Sequence, residues 1–134
     1  MSKLFDVTGG ITADKYDACL QDFVEGLLNY NVDNVLCIVL YGGLVRDGEP
    51  IPGWSDIDLI VLFRDILTRN GATLSSLLDR TETKYGIRID LTQLDEKWFI
   101  DSRLLANFYN SEVMNALAMR PDVSRVLYGT LPPV

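Results

Sequence analysis

The 134-residue sequence contains no histidine. This absence excludes catalytic triads that use histidine as the general base, and it removes the commonest protein ligand of catalytic zinc. Any catalysis by this chain must therefore rely on carboxylates, on hydroxyl groups, or on a metal ion held by oxygen atoms.

Cysteine is scarce. The two cysteines, Cys19 and Cys37, lie in apolar segments and lack C-x-x-C spacing. This setting favours two small core residues in a reducing compartment over a disulfide or a metal site.

The sequence also lacks a signal-peptide core and any apolar run near the roughly 20 residues that span a bilayer. We therefore expect a soluble, cytoplasmic protein that makes no membrane contact.

Basic residues are outnumbered. The 12 lysines and arginines face 19 acidic residues, which gives a formal net charge of -7. Because this charge repels phosphate backbones, long nucleic acid is an unfavourable partner. With 48% hydrophobic residues, a chain of this length is typical of one compact unit, and we predict a single domain over residues 1–134.

Hydrophobic periodicity and turn residues predict alternating helices and strands around a small sheet, which indicates an α/β (α+β) fold. The order is helix, strand, loop, strand, helix, strand, helix. The predicted elements are a helix capped by Thr12, strands at Val35–Tyr41 and Asp56–Phe63, a helix capped by Thr73 and ended by Gly86, a strand at Ile87–Leu94, a helix from Asp95 to Met119 ended by Pro121, and a short edge strand at Ser124–Gly129.

Two aspartates stand at the start of the second apolar strand, in the segment "GWSDIDLIVLF". Residues two apart in a strand point to the same face, so Asp56 and Asp58 are predicted to project together. Two like charges at that distance raise each other's pKa unless a cation lies between them. Oxygen ligands without histidine or thiolate suit Mg²⁺ or Mn²⁺. The pair therefore predicts a divalent metal site.

Asp90 is the third candidate ligand, because it lies on the polar face of the next strand along the chain. If the two strands are neighbours, Asp90 lies beside the pair, and three carboxylates can hold two metal ions. Two such ions can activate an attacking hydroxyl and stabilise the leaving oxygen in an in-line displacement at phosphorus. This chemistry would replace the missing histidine base.

Gly42 and Gly43 follow the first apolar strand directly. Their backbone amides are unobstructed by side chains, and "LVRD" after them has the length of one helical turn, so the segment is suited to contact a phosphate. Arg46 adds a cation. The sequence has neither a Walker A motif nor the G-x-G-x-x-G fingerprint, so P-loop and Rossmann nucleotide sites are not supported.

Each feature alone also has a purely structural interpretation. The glycine pair could form a tight turn, Asp56 could cap the strand entry, and Asp90 could pair with Arg88. Short motifs are unspecific when taken singly. The functional interpretation depends on the three features occurring together, with the glycine pair after the first apolar strand, the two same-face acids at the start of the second, and a further acid on the third.

Together these residues resemble the nucleotidyltransferase superfamily that includes DNA polymerase beta. Its signature is a hydrophobic residue, Gly, then Gly or Ser, a gap of about ten residues, Asp-x-Asp, and an acid on a later strand. The resemblance covers about Val35 to Leu94 and implies the nucleotidyltransferase fold, a small mixed β-sheet flanked by helices. The matching positions here are Tyr41, Gly42, Gly43, Asp56, Asp58 and Asp90.

The resemblance implies a role for each matching residue. Asp56 and Asp58 would hold two Mg²⁺ or Mn²⁺ ions, and Asp90 would complete one metal site and help to activate the acceptor hydroxyl. The nucleotide triphosphate would contact the glycine pair, with Arg46 and Ser55 as further nucleotide-binding residues. The roles assigned by resemblance rest on Gly42, Gly43, Arg46, Ser55, Asp56, Asp58 and Asp90.

At the level of subfamilies the sequence resembles minimal nucleotidyltransferases, many of which are antitoxin partners of HEPN proteins. It is also similar to the catalytic half of aminoglycoside nucleotidyltransferases. The combination of "GGLVRD" with "DID" resembles tRNA CCA-adding enzymes and bacterial poly(A) polymerases as well, although the acidity of the chain and the missing tRNA-holding domains disfavour that interpretation.

Two hypotheses follow. In the first, the chain is a metal-dependent nucleotidyltransferase that moves an NMP group from an NTP, which we expect to be ATP, to a hydroxyl of a protein or small molecule and releases pyrophosphate. In the second, it is a non-catalytic module of the same fold, such as an antitoxin subunit that covers a partner protein, for example a HEPN-type toxin.

Overall fold

The computed structural model describes residues 11–47, 56–99, 111–118 and 124–131. Four helices and four strands alternate along these segments, with a short 3₁₀ helix after β2 and another after β3. In chain order the elements are α1 (Ile11–Asn31), β1 (Val35–Tyr41), α2 (Gly43–Asp47), β2 (Ile57–Phe63), a 3₁₀ helix (Ile66–Thr68), α3 (Gly71–Tyr85), β3 (Ile89–Asp95), a 3₁₀ helix (Glu96–Phe99), α4 (Ser111–Leu117) and β4 (Ser124–Gly129).

The four strands form one mixed sheet with the order β3-β2-β1-β4. β1 runs antiparallel to both β2 and β4, whereas β2 runs parallel to β3. The two central strands are the two continuous apolar runs of the sequence, as expected for strands covered on both faces. The predicted edge strand at Ser124–Gly129 is confirmed with the same bounds.

Two hydrophobic cores lie on the two faces of the sheet. The first packs α1 and α3 against one face, and the second packs α4 against the other. The alternation of β1 and β2 supplies both cores from the same strands. Examples from the first core are Phe23, Leu27, Ile38, Leu40, Leu74 and Leu77, and examples from the second are Val39, Ile60, Leu62, Val113, Ala116 and Leu117.

The two cysteines are free and fully buried, as the sequence predicted. Cys19 belongs to the first core and Cys37 to the second. Burial raises the pKa of the Cys19 thiol to about 12 and that of the Cys37 thiol to about 11. Both side chains therefore behave as small apolar residues at neutral pH.

The start of α3 differs from the prediction. The helix begins at Gly71 with Asn70 as its N-cap, and the Asn70 side chain accepts a hydrogen bond from the Thr73 backbone N–H at 3.1 Å. Thr73 is therefore the capped residue and not the cap. The end of the helix was predicted correctly, because Gly86 takes the left-handed conformation that favours glycine, with φ 65°. In α1, Thr12 likewise lies within the first turn, since that helix begins at Ile11.

Asp95 was predicted to begin a long helix and instead ends β3. Its carboxylate is 1% exposed and accepts hydrogen bonds from the backbone N–H groups of Ile66 at 2.9 Å and Lys97 at 2.8 Å. A buried carboxylate is stable only when it has hydrogen-bond partners of this kind. Here the Asp95 carboxylate links the backbone of the 3₁₀ helix after β2 to that of the 3₁₀ helix after β3. The described part of the predicted helix consists of the short Glu96–Phe99 turn and of α4.

Several predictions fall outside the described residues. These concern the Gly- and Pro-rich loop beyond Asp47, the residue Ser55, and the helix end at Pro121. Among the helices in the part of the chain that the structure describes, none is long and apolar enough to cross a membrane.

Candidate active site

The candidate site lies where β1 ends and where β2 and β3 begin. β1 enters a tight turn at Gly42, whose φ of 81° lies in the region that favours glycine. The Gly42 carbonyl accepts a hydrogen bond from the Val45 N–H at 3.1 Å, and α2 starts at Gly43. The predicted helical turn in "LVRD" is thus confirmed, and Gly42 has a conformational role whether or not it also binds a ligand.

Asp58 is the one residue of β2 that is not buried. The other six residues of the strand are apolar and enclosed by the two cores. The side chain of Asp58 is half-buried. An acid at this position of a buried strand is accessible enough to bind a ligand.

Asp90 lies directly beside Asp58 in the sheet. The parallel pairing of β2 and β3 places the two aspartates in register, with Ile57 opposite Ile89 and Leu59 opposite Leu91 on either side. Asp90 is exposed. The sequence predicted that the two acids lie together if their strands are neighbours. In the structure β2 and β3 are neighbours.

Asp56 lies just before the strand. β2 begins at Ile57, whose N–H bonds the Arg88 carbonyl at 2.9 Å, and Asp56 is half-buried at its entry. Strand alternation therefore fixes the face of the sheet to which the Asp58 side chain points. It does not fix the direction of the Asp56 side chain, because Asp56 lies outside the strand. Within residues 11–47, 56–99, 111–118 and 124–131, no three acidic or cysteine side chains form a group that could hold a metal ion. The structure pairs Asp58 with Asp90 and leaves Asp56 outside a three-ligand cluster.

The pair of carboxylates fits the ligand chemistry of magnesium. Mg²⁺ commonly binds through one or two carboxylates and completes its octahedral shell with substrate phosphates and water. The register of Asp58 and Asp90 supplies two such carboxylates on adjacent strands. Water, and the phosphates of a bound nucleotide, would supply the remaining ligands of such a site.

A row of polar side chains crosses the sheet at this level. Tyr41 is in register with Asp58 on one side and with Ser124 on the other, so that the row runs Asp90, Asp58, Tyr41, Ser124. Exposure falls along the row, since Asp90 is exposed whereas Tyr41 is 6% and Ser124 5% exposed. The site is therefore open toward β3 and closed toward β4.

Tyr16 is a neighbour of the site that sequence reasoning missed. It belongs to α1 and is buried in the first core. Burial raises the pKa of its phenol, and the negative charge of Asp56 raises it further. Tyr16 and Asp56 are 40 residues apart, so no local sequence pattern relates them.

The remaining predicted residues are described in part. The backbone of Arg46 lies in α2, but its side chain and the whole of Ser55 lie outside the described residues. Their nucleotide-binding roles stay predictions.

No family model matches this sequence. No curated protein matches it either. Solved structures are similar at the level of the fold. A toxin-antitoxin crystal structure with AMP-PNP matches with a TM-score of 0.50 and 18% identity, over 82% of this chain and 73% of that chain.

Two further structures match less closely in three dimensions. A mutant of the toxin-antitoxin MntA-HpeT gives a TM-score of 0.49 and 19% identity over 80% of this chain and 71% of that one. A tri-AMPylated Shewanella oneidensis HEPN toxin in complex with MNT antitoxin gives 0.44 and 19% over 84% and 73%. At such identities the comparison speaks for the fold alone. The α/β fold predicted from the sequence, with a small mixed sheet flanked by helices, is confirmed.

Proposed function

We propose that this chain is a magnesium-dependent nucleotidyltransferase that transfers an NMP group from an NTP, ATP in the first instance, to a hydroxyl of a protein or small molecule. The observation that carries the proposal is the register of Asp58 with Asp90 across the parallel strands β2 and β3. A half-buried and an exposed carboxylate side by side repel each other unless a cation joins them.

Divalent ions bound at these carboxylates would stabilise the charge that develops on the phosphates and would lower the pKa of the acceptor hydroxyl. The residues of the chain hold and orient the reactants. Asp58 and Asp90 would supply metal ligands from adjacent strands. Asp56, which forms no three-ligand group with them in this structure, would turn toward them from the entry of β2 when a metal ion binds. The turn at Gly42 and Gly43 lets the triphosphate approach the backbone closely.

The transfer balances without a further reagent. The acceptor oxygen forms a bond to the α-phosphorus as the bond between the α-phosphorus and the pyrophosphate oxygen breaks. Pyrophosphate leaves, and Asp90, which lies at the open side of the row, receives the hydroxyl proton directly or through water. Catalysis in this scheme consists of positioning and charge neutralisation.

A transfer assay with radiolabelled ATP, Mg²⁺ and candidate acceptors tests the proposal. Asp58→Asn keeps the shape of the side chain and removes its charge, and it should abolish the transfer of label. Asp79→Asn makes the same change at an exposed position of α3 and should leave transfer unchanged. Equal transfer by wild type and Asp58→Asn would contradict the assigned site.

The second candidate is a non-catalytic module, such as an antitoxin subunit that covers a HEPN-type partner. Its support is the fold similarity to a toxin-antitoxin structure, although that structure also contains AMP-PNP and so agrees with nucleotide binding as well. Calorimetry separates the two candidates. ATP binding that requires Mg²⁺ and disappears in Asp56→Ala favours the enzyme, whereas partner binding that is indifferent to both favours the module.

A further inference from the structure

Asp58 has two neighbours on its face of the sheet, one on each adjacent strand. Asp90 of β3 lies on one side, and Tyr41 of β1 lies on the other. Side chains directly opposite on adjacent antiparallel strands have Cβ atoms about 5 Å apart, so Tyr41 and Asp58 are in contact range. Across the sheet, Asp58 is therefore flanked by Tyr41 on the β1 side and by Asp90 on the β3 side.

The two neighbours differ in mobility. Tyr41 is 6% exposed and packs in the second core with Val39 and Ile60, whereas Asp90 is exposed. A buried aromatic ring is held in one rotamer by close packing, while an exposed carboxylate samples several. The Asp58 side chain therefore has a rigid neighbour, Tyr41, on the β1 side.

We propose that Tyr41 is a positioning residue, whose ring forms a wall on the β1 side of Asp58 and holds its carboxylate toward Asp90. This inference rests on the proposed function, because it concerns the metal ligands of that function. The superfamily signature requires only a hydrophobic residue at this position. An aromatic ring meets that requirement and also fills the space into which the Asp58 side chain would otherwise turn.

Loss of the wall should weaken the metal site without removing a ligand. Residues that orient a ligand typically change metal affinity by 10- to 100-fold when they are replaced. Tyr41→Leu keeps an apolar side chain in the core but removes the ring, and we expect metal binding to weaken about tenfold. Tyr41→Phe keeps the ring and should bind metal within about twofold of wild type.

The experiment measures binding of Mn²⁺ alone to the whole chain by electron paramagnetic resonance, so that no turnover is needed. Val39→Ala is the matched control, because Val39 lies two residues earlier on the same strand and faces the same core. Urea unfolding of each variant reports its folded fraction. If Tyr41→Leu is not folded, Tyr41→Met replaces it as the ringless variant.

The expected result is weaker Mn²⁺ binding in the ringless variant, with Tyr41→Phe and Val39→Ala close to wild type. Wild-type affinity in a folded ringless variant would overturn the role of Tyr41 and leave the metal site intact. Equal weakening in Tyr41→Phe would overturn the wall, because the hydroxyl would then be responsible. Wild-type binding no stronger than that of Asp58→Asn would overturn this inference together with the proposed metal site.

Discussion

Asn34 and Asp65 bind each other through two hydrogen bonds that run in opposite directions. The Asn34 Nδ2 donates to the Asp65 carbonyl at 2.9 Å, and the Asp65 N–H donates to Asn34 Oδ1 at 2.9 Å. The pair joins the turn before β1 to the segment after β2 and so fixes the ends of the two central strands.

Asn34→Ala should lower the free energy of unfolding by about 1–3 kcal/mol, because the part-buried Asp65 N–H loses its partner and the Asp65 carbonyl, which also accepts from Thr68, loses one of its donors. Urea denaturation measures the change. Asn29→Ala, at an exposed position of α1, is the control and should stay within about 0.5 kcal/mol of wild type. Equal stability of the two variants would show that the double hydrogen bond contributes nothing net.

Gly129→Ala should be strongly destabilising. Gly129 ends β4 with φ 73°, and a Cβ there would lie 1.8 Å from the Leu36 carbonyl oxygen. Since backbone must move to relieve that contact, we expect a loss of more than about 2 kcal/mol. Gly71→Ala is the matched control, because nothing lies within 4 Å of its Cβ at the exposed start of α3, and it should be neutral or slightly stabilising.

Asp58→Asn should stabilise the protein in metal-free buffer while it removes the response to metal. Like charges opposite each other on adjacent strands are destabilising, by roughly 0.2–1 kcal/mol, and the substitution removes the repulsion with Asp90. Thermal denaturation with EDTA and with Mg²⁺ plus ATP measures both effects. A wild-type melting temperature that does not rise with Mg²⁺ and ATP would contradict the prediction.

Stability should fall in acid partly through Asp22. Its carboxylate accepts hydrogen bonds from the Tyr85 hydroxyl and from Lys84 Nζ at 3.0 Å, and these two interactions, that of Tyr85 first, lower the pKa of Asp22. The folded pKa is below the unfolded value of about 3.9, so the contribution is present above about pH 4 and lost as the pH falls through the folded value.

Urea midpoints between pH 2.5 and 6 test this dependence. Asp22→Asn should flatten the acid limb of the profile, and Tyr85→Phe, which removes the larger cause of the shift, should flatten it in part. An acid limb of unchanged steepness in both variants would exclude Asp22 as a contributor. The contribution is modest because the Asp22 side chain is 41% exposed and solvent screens its interactions.

The apolar strands could be predicted from the sequence because burial on both faces leaves a continuous hydrophobic run, as in β1 and β2. The cap of α3 could not be assigned, since Asn70 and Thr73 are both good caps and only the backbone geometry decides between them. Asp95 was misassigned because a polar residue before "EKWF" is typical of a helix start, whereas its burial depends in part on a hydrogen bond from Ile66, 29 residues away in the chain.

The candidate site was predictable to a similar degree. Alternation placed Asp58 on one face, but its register with Asp90 depends on which strands are neighbours, and this is a property of the whole sheet. The nearness of Tyr16 to Asp56 depends on how α1 crosses the sheet, and no local pattern encodes it. The sequence therefore predicts which residues could take part in the chemistry, but it does not predict how far apart they lie in the fold.

Cys19 and Cys37 are the two thiols of the chain, and each is enclosed in a different one of the two cores. A thiol reagent reaches Cys19 only when the layer of α1 and α3 separates from the sheet, and it reaches Cys37 only when the layer of α4 does. The two alkylation rates, resolved by peptide mass spectrometry, therefore time the opening of the two layers independently, with no added probe.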